Sequence, residues 1–598
     1  MRGGHAKRDR AEISISNHAP RKVNVPANSL EHLLDRLDEL KRPTRDARVR
    51  ARLSQLLKQI ARRRFRDAAS LIRFHESLLF LRAYPQTATL ARASEKILKT
   101  FSERVARLRE EGADTFPLEQ PEVSGIAGTG FDVIFGYDIV RYLARAHPSR
   151  VRLVWDDEDD RAHLHSVFSH FMPLFEEEVY VDIRTPFREW LRAATPRGET
   201  QLAWLIRRFE SLKVSEKIRT ELFDPLKLWV RWELKDSRST RTHARLPTRE
   251  TFYHRAPLLE RREVELAREL DAPPLPVTKL SRSQAERVLA IGRDAMCVRF
   301  RELHGFTYGD PRTMLRADAG RGLQIFLWGV APDRRLPLLA YHCGMFFKNG
   351  IAIGYHEGLS LFERTEIGVN LFYTFREGES AWTYARLLRL YKQLLGTNTF
   401  SVEPYQLGGS GNYEGIESGA FWFYRKLGFR PIVREIARLV ETEERRISAR
   451  RNYRTSPQQL RRLAAGHVLY ESRDAAHVGE WDRFRTRHIG LAVQRRMARE
   501  FDGDADKIRE ASIMEVTRAL NATRERFDED ERRALSNLSL VLALIPDLAR
   551  WTREEKRAVL AIIRAKAGRD ELRYLRLLRR HPRLRRAIIA LGTSSRSS

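Results

Sequence analysis

One stretch of the chain sets a strand against a helix opening in a way that suits an anion. Glu366 to Phe375 reads as a strand, and a helix runs from about Ser380 to Leu395. Between them lies the turn Phe375-Arg376-Glu377-Gly378-Glu379-Ser380-Ala381. The first amides of a helix have no partner within it and lie at the positive end of its dipole. A glycine just before them lets a ligand approach the backbone closely. A pyrophosphate suits such a turn.

Other groupings lead less far. Gly125-Ile126-Ala127-Gly128-Thr129-Gly130 precedes a helix, and Asp156 ends the next strand. That pairing occurs in dinucleotide sites, but Pro121 to Ser124 is no buried strand and the glycine spacing is wrong. The acids from Asp156 to Asp160 could hold Mg²⁺, yet acids at the start of a following helix account for them too. His163, His165 and His170 do not share one helical face, and His75-Glu76 lacks a second histidine four residues on. No metal is expected. No serine or cysteine sits in a recognisable nucleophile elbow.

A second stretch extends the first. Ser410-Gly411-Asn412 precedes a helix from about Glu414 to Leu427, which ends Phe423-Tyr424-Arg425-Lys426-Leu427-Gly428-Phe429. Together with the glycine turn, this resembles the GNAT acyltransferase superfamily. In that family a strand, a phosphate loop of the form Q/R-x-x-G-x-G/A and a helix are followed by a strand, an Asn and a helix ending Y-x-K-x-G-F. The resemblance spans residues 281–431, about a quarter of the chain.

What the resemblance implies is an acyl-CoA co-substrate held between two splaying central strands. Arg376, Gly378, Glu379, Ser380 and Ala381 would line its pyrophosphate, and Asn412 its pantetheine side. Tyr424 would protonate the leaving thiolate. Glu366 would take the proton of an attacking amine, directly or through water. The acyl acceptor is unknown. The chain departs from the family pattern at three points. Phe375 stands where Arg or Gln is usual, Ser380 where Gly or Ala is usual, and Asn412 to Tyr424 is longer by more than a helical turn. Two other readings stand beside this one: a GNAT-fold scaffold or ligand-binding protein without catalysis, and a basic nucleic-acid-associated protein.

The elements that must position these residues fall into segments. Residues 1–25 form a basic tail expected to be disordered. Residues 26–115 carry helical periodicity, opened by Asn28 with Glu31 as a capping pair. Residues 116–275 are mixed, with Lys235 to Arg249 as a polar loop or linker. Residues 276–435 hold the GNAT-like domain, opened by the Ser281/Gln284 capping box of a helix to about Leu303. There Asn349-Gly350 sits between two apolar runs, the strongest short-range hairpin signal. Residues 436–598 read as helices only, with Thr593 to Ser598 frayed. The expected fold class is multi-domain α/β. Its centre is a mixed, largely antiparallel sheet with helices on both faces, flanked by helical regions.

Composition bounds the partners. The formal net charge is +30. Such a field attracts nucleic acid, anionic lipid and CoA, but the basic residues are spread over every segment, as in an arginine-rich proteome. No RNP, helix-turn-helix or zinc-finger pattern accompanies them. Two cysteines, Cys297 and Cys343, cannot form a disulfide framework and fit a reducing cytoplasm. The N-terminus lacks the apolar run of a signal peptide, and the most apolar stretch, Leu538 to Ile545, is too short for a bilayer. The expectation is a cytoplasmic protein without a membrane partner.

Overall fold

The computed structural model describes residues 29–155, 161–175 and 187–593. The basic tail, Asn28, the acids Asp156 to Asp160 and the residues after Thr593 lie outside them, as do the side chains of His163 and His165.

The chain is mixed α/β. A small antiparallel sheet holds β1 (Gly130–Ile134), β2 (Val151–Val154) and β3 (Trp229–Glu233), in the order β1-β3-β2. The large sheet has nine strands. They are β4 (Val277–Lys279), β5 (Leu315–Gly320), β6 (Leu323–Gly329), β7 (Ala340–Lys348), β8 (Ile351–Leu361), β9 (Arg364–Leu371), β10 (Thr399–Val402), β11 (Arg430–Pro431) and β12 (Val468–Glu471). Their order is β11-β12-β10-β9-β8-β7-β6-β5-β4. Neighbours are antiparallel except β9 and β10, which are parallel.

Both faces of the large sheet are covered. Every residue of β7 is buried, as befits a strand packed on two sides. The helix Ser380–Leu395 returns the chain from β9 to β10, the crossover a parallel pair requires. It lies on the face where His356 of β8 meets the Tyr391 hydroxyl at 3.1 Å. The helices Arg282–Cys297 and His304–Thr307 pack against Met345 and Cys343, whose side chains take the other face of β7. One continuous apolar core joins the large sheet to the N-terminal and C-terminal helices. A second surrounds the small sheet.

Several local expectations need correction. Ser29, not Asn28, caps the first helix, its hydroxyl accepting from the His32 amide at 3.2 Å. The helix opened by Ser281 ends at Cys297 rather than near Leu303, because Phe300 takes a left-handed φ of 56°. The expected helix from Glu414 to Leu427 is two short ones, Tyr413–Glu417 and Ala420–Lys426, broken where Gly419 takes φ 64°. That break absorbs the extra length between Asn412 and Tyr424. Gly125 to Gly130 runs into β1 and opens no helix. The C-terminal segment is not purely helical either, since β12 inserts between β10 and β11. No helix among the described residues is long and apolar enough to cross a membrane.

The Asn349-Gly350 hairpin forms as expected, with φ of 50° and 80° at the two turn positions. Its tip is not in solvent. The Asn349 amide donates to Ala83 O at 2.9 Å and Phe252 O at 3.1 Å, and its Oδ1 accepts from the Phe252 amide at 2.8 Å. The turn thus pins the sheet to the N-terminal helices. Asn349→Ala leaves these buried groups unpaired, at roughly 1–3 kcal/mol for each group left unmet. A fall in stability of about 3 kcal/mol is expected in urea denaturation. A change below about 1 kcal/mol would contradict the pinning role.

Candidate functional site

The parallel pair is short. Thr399, Phe400 and Ser401 of β10 pair with Arg364, Thr365 and Glu366 of β9. Beyond Glu366, β9 continues to Leu371, while the chain after Val402 turns off into the helix Pro404–Leu407. The two strands therefore fork at Glu366. Its carboxylate meets Arg364 Nη2 at 2.9 Å and His467 Nε2 at 3.3 Å, and the Ser401 hydroxyl donates to it at 3.4 Å. Burial pushes the Glu366 carboxyl up, but His467, Arg364 and Ser401 outweigh it, so it lies below its ordinary value.

Two further carboxylates share this side of the sheet. Glu357 of β8 lies opposite Gly368 of β9, on the face that carries Glu366, and accepts from the Tyr341 hydroxyl. Burial pushes it up. Glu403 follows β10 at the surface. The protein around its carboxyl, and then the neighbouring Glu366 charge, push it up as well. One fork thus holds a carboxylate biased to stay ionised beside one biased to hold a proton. Sequence reasoning missed Glu357, Glu403, Ser401 and His467. Glu403 had a usable signal, an acid between a strand and a proline. Glu357 and His467 become neighbours only through the sheet register.

The glycine turn is built differently from an open anion site. The Gly378 amide donates to Phe375 O at 3.0 Å, and the Ser380 hydroxyl donates to Arg376 O at 2.7 Å. Arg376 Nε donates to Leu371 O at 3.0 Å, and its guanidinium pairs with Glu414, tying the turn to the segment that Asn412 opens. The Ser380 and Ala381 amides have no backbone acceptor among the described residues. Glu379 points inward. It takes the Lys348 ammonium at 2.7 Å and Arg321 Nε at 2.9 Å, and neither Glu379 nor Lys348 is more than 1 % exposed. Burial pushes the Glu379 carboxyl up, but the two cations outweigh it and hold it low.

Tyr84, which follows the helix Ala68–Ala83, lies against this turn. Its hydroxyl and ring edge pack on Gly378, where an added Cβ would collide with them. Arg42, from the same N-terminal segment, pairs with Glu377 at 3.4 Å. Asn412 caps its own short helix, accepting from the Gly415 amide at 3.1 Å and donating to Tyr405 O at 2.8 Å. Tyr424 is buried among the rings of Tyr384, Phe423 and Phe429, with centroids 5.5, 5.3 and 5.7 Å away. Burial pushes its phenol up. The structure therefore gathers Arg376, Gly378, Glu379, Ser380 and Ala381 in one turn, and Tyr424 reaches the crossover helix through Tyr384. Among the described residues, no hydrogen bond or ion pair joins Asn412 or Tyr424 to Glu366.

Lys235 to Arg249, expected as a polar loop, is threaded between the N-terminal helices and the start of the glycine turn. Thr240, Arg241 and Thr242 are buried there because their polar groups find partners. Arg241 Nη2 donates to Glu76 at 2.6 Å, and Thr374 donates to the same carboxylate. His75 contacts Glu76 at 3.1 Å and the Thr242 hydroxyl at 2.9 Å. Burial pushes the Glu76 carboxyl up, but Arg241, His75 and Thr374 together bring it down to about 2.

Among the described residues, no group of three or more His, Cys, Asp or Glu is arranged to hold a metal ion. Compared with protein-family models, curated proteins and solved structures, the chain gives no match.

The Glu76 network has a pH signature. Its folded value lies below the ordinary 4.5, so its stabilisation is complete above pH 4.5 and is lost as the pH falls toward about 2. At roughly 1.4 kcal/mol per tenfold, the contribution is about 3 kcal/mol. Glu76→Gln should lower stability at neutral pH and flatten the loss through that acid window, read from urea midpoints. An acid limb unchanged in the variant would contradict the assignment.

Proposed function

We propose that the fork between β9 and β10 carries acyl transfer from an acyl-CoA to an amine, in a domain of GNAT type. The observation that carries this reading is the one parallel pair among the described strands, opening at a carboxylate and joined by a crossover helix. In such a fork the edge of β9 beyond Glu366, at Ile367 and Val369, has no paired strand among the described residues and would hydrogen-bond an extended pantetheine arm. The Ser380 and Ala381 amides lie at the positive end of the crossover helix, where phosphate charge is favoured.

Chemistry follows from the carboxylates. An amine nitrogen attacks the thioester carbonyl and must shed a proton. Glu366, ionised and fixed by three partners, orients the ammonium or amine. Glu403, with its raised value, is the better proton acceptor near neutral pH. Tyr424 stays protonated under burial and can donate to the departing thiolate, as the family resemblance implies. Asn412 acts indirectly, by holding the loop that carries Tyr405. Transfer by this route owes much of its rate to positioning. The two buried cysteines, Cys297 and Cys343, are free thiols, which suits a reducing cytoplasm.

A second reading has its own observation. Tyr84 packs on Gly378 at the turn where a pyrophosphate would lie, and the Gly378 amide is itself taken by Phe375 O. That favours a GNAT-type fold kept as a scaffold for the flanking helices. Calorimetry with acetyl-CoA and a longer acyl-CoA, followed by turnover with a panel of amines, separates the two. On the transferase reading, acyl-CoA binds and Glu366→Gln leaves that binding intact while cutting turnover about 100-fold or more; Tyr424→Phe slows turnover roughly 10- to 1,000-fold. No heat at millimolar acyl-CoA would leave the scaffold.

A further inference from the structure

The C-terminal helices border a half-open pocket of about 630 Å³, away from the fork. It lies among the helices Glu529–Leu542, Arg553–Ala567 and Leu572–Arg579 and the loop before the last of them. Four arginines line it: Arg557 and Arg564 on one helix, Arg569 in the loop and Arg573 on the next helix. Leu560 and Ala561 give it an apolar strip between the first two.

Its charge is not cancelled from within. Two carboxylates, Glu531 and Asp570, line the cavity against four guanidiniums, so half of the positive charge is left over; each carboxylate also accepts from a backbone amide. Glu531 accepts from the Asp528 amide at 3.2 Å in a capping box, and Asp570 accepts from the Leu572 amide at 3.2 Å. Arg564 reaches Glu531 only at 3.8 Å and lies over the Phe527 ring. Asp530 nearby is taken by Arg533 at 2.8 Å. Arg557 and Arg573 have no ion-pair partner among the described residues, and both are exposed.

The loop wall is fixed before any ligand arrives. The Arg335 guanidinium donates to Lys566 O and Gly568 O, each at 2.6 Å, and to Arg569 O at 3.1 Å. Beneath it the Lys566 ammonium, which pairs with the buried Glu571, donates to Leu339 O at 2.8 Å. The three carbonyls clamp the backbone that carries Arg569 and Asp570, so little ordering is left to oppose binding.

We propose that this cavity is a binding site for a small phosphorylated anion bearing at least two phosphates, of the nucleoside diphosphate class. Guanidinium groups match phosphate oxygens in paired hydrogen bonds, and four arginines line this pocket, Arg569 with one nitrogen on Arg312 O at 3.4 Å. Arg557 and Arg564 are seven residues apart, about 10 Å along the helix, so they address separate phosphates or a phosphate and a sugar. The volume lies within the range of roughly 300–1,000 Å³ typical of small-molecule sites. The apolar strip suits the uncharged part of such a ligand.

Calorimetry on the full chain with inorganic pyrophosphate and with ADP tests this. Saturable one-to-one binding is expected, weakened at least about tenfold by the double exchange Arg557→Ala with Arg573→Ala, which removes two charged donors. Arg580→Ala, an exposed arginine outside the cavity, is expected to change nothing. Absence of saturable binding would overturn the proposal. So would pyrophosphate binding that survives the double exchange, which would place it elsewhere, including the crossover-helix turn. A single-stranded RNA oligonucleotide that binds through Arg557 and Arg573 when ADP does not would overturn it as well.

Discussion

Two neighbouring strands that point the same way cannot be joined by a tight turn. That constraint organises the centre of this protein. β9 and β10 are the only parallel neighbours among the described strands of the large sheet, so the chain must leave β9, cross the sheet and return. The crossover helix covers the His356 face, and its N-terminus necessarily lies near the end of β9. Because the pairing ends at Glu366, the strands part there, and the free edge of β9 lies close to the start of the helix. Any ligand that needs an extended strand edge and a helix N-terminus finds both within one connection.

The same connection is where the flanking regions attach. Glu379, at the start of the crossover helix, is buried with Lys348 from the hairpin and pairs with the half-buried Arg321 of the β5–β6 turn. Removing one member of such a group strands a charge, so all three positions are bound together. Tyr84 and Glu76 of the N-terminal helices and Arg241 of the threaded loop reach the same turn, and Asn349 at the hairpin tip meets the N-terminal helices at Ala83 O. The geometry holds the glycine turn firmly while taking up one of its amides. Attachment of the N-terminal helices and the opening of the crossover helix therefore share the same few residues.

Local signals were legible where local physics decides. The Asn349-Gly350 turn, the Ser281 capping box and the helix Ser380–Leu395 follow from positive φ, cap chemistry and apolar period, and all three stand as expected. What the sequence hides is pairing at a distance. Val468-Leu469-Tyr470-Glu471 carries no turn signal that would announce a strand, and it becomes one by filling the gap between β10 and β11. Glu357 and His467 join Glu366 only through register and that added strand. The buried role of Glu379 was equally invisible, since its partners lie 31 and 58 residues away. A carboxylate in a glycine turn looks solvated until the hairpin brings its lysine.

The central claim is that the fork and the crossover-helix turn together hold an acyl-CoA. Amide hydrogen exchange with and without CoA, followed by peptide mass, addresses it most directly. The expected result is slowed exchange confined to Ile367–Leu371 and Arg376–Ala381, with the C-terminal helices unchanged. Exchange at both segments that stays the same at saturating CoA would contradict it.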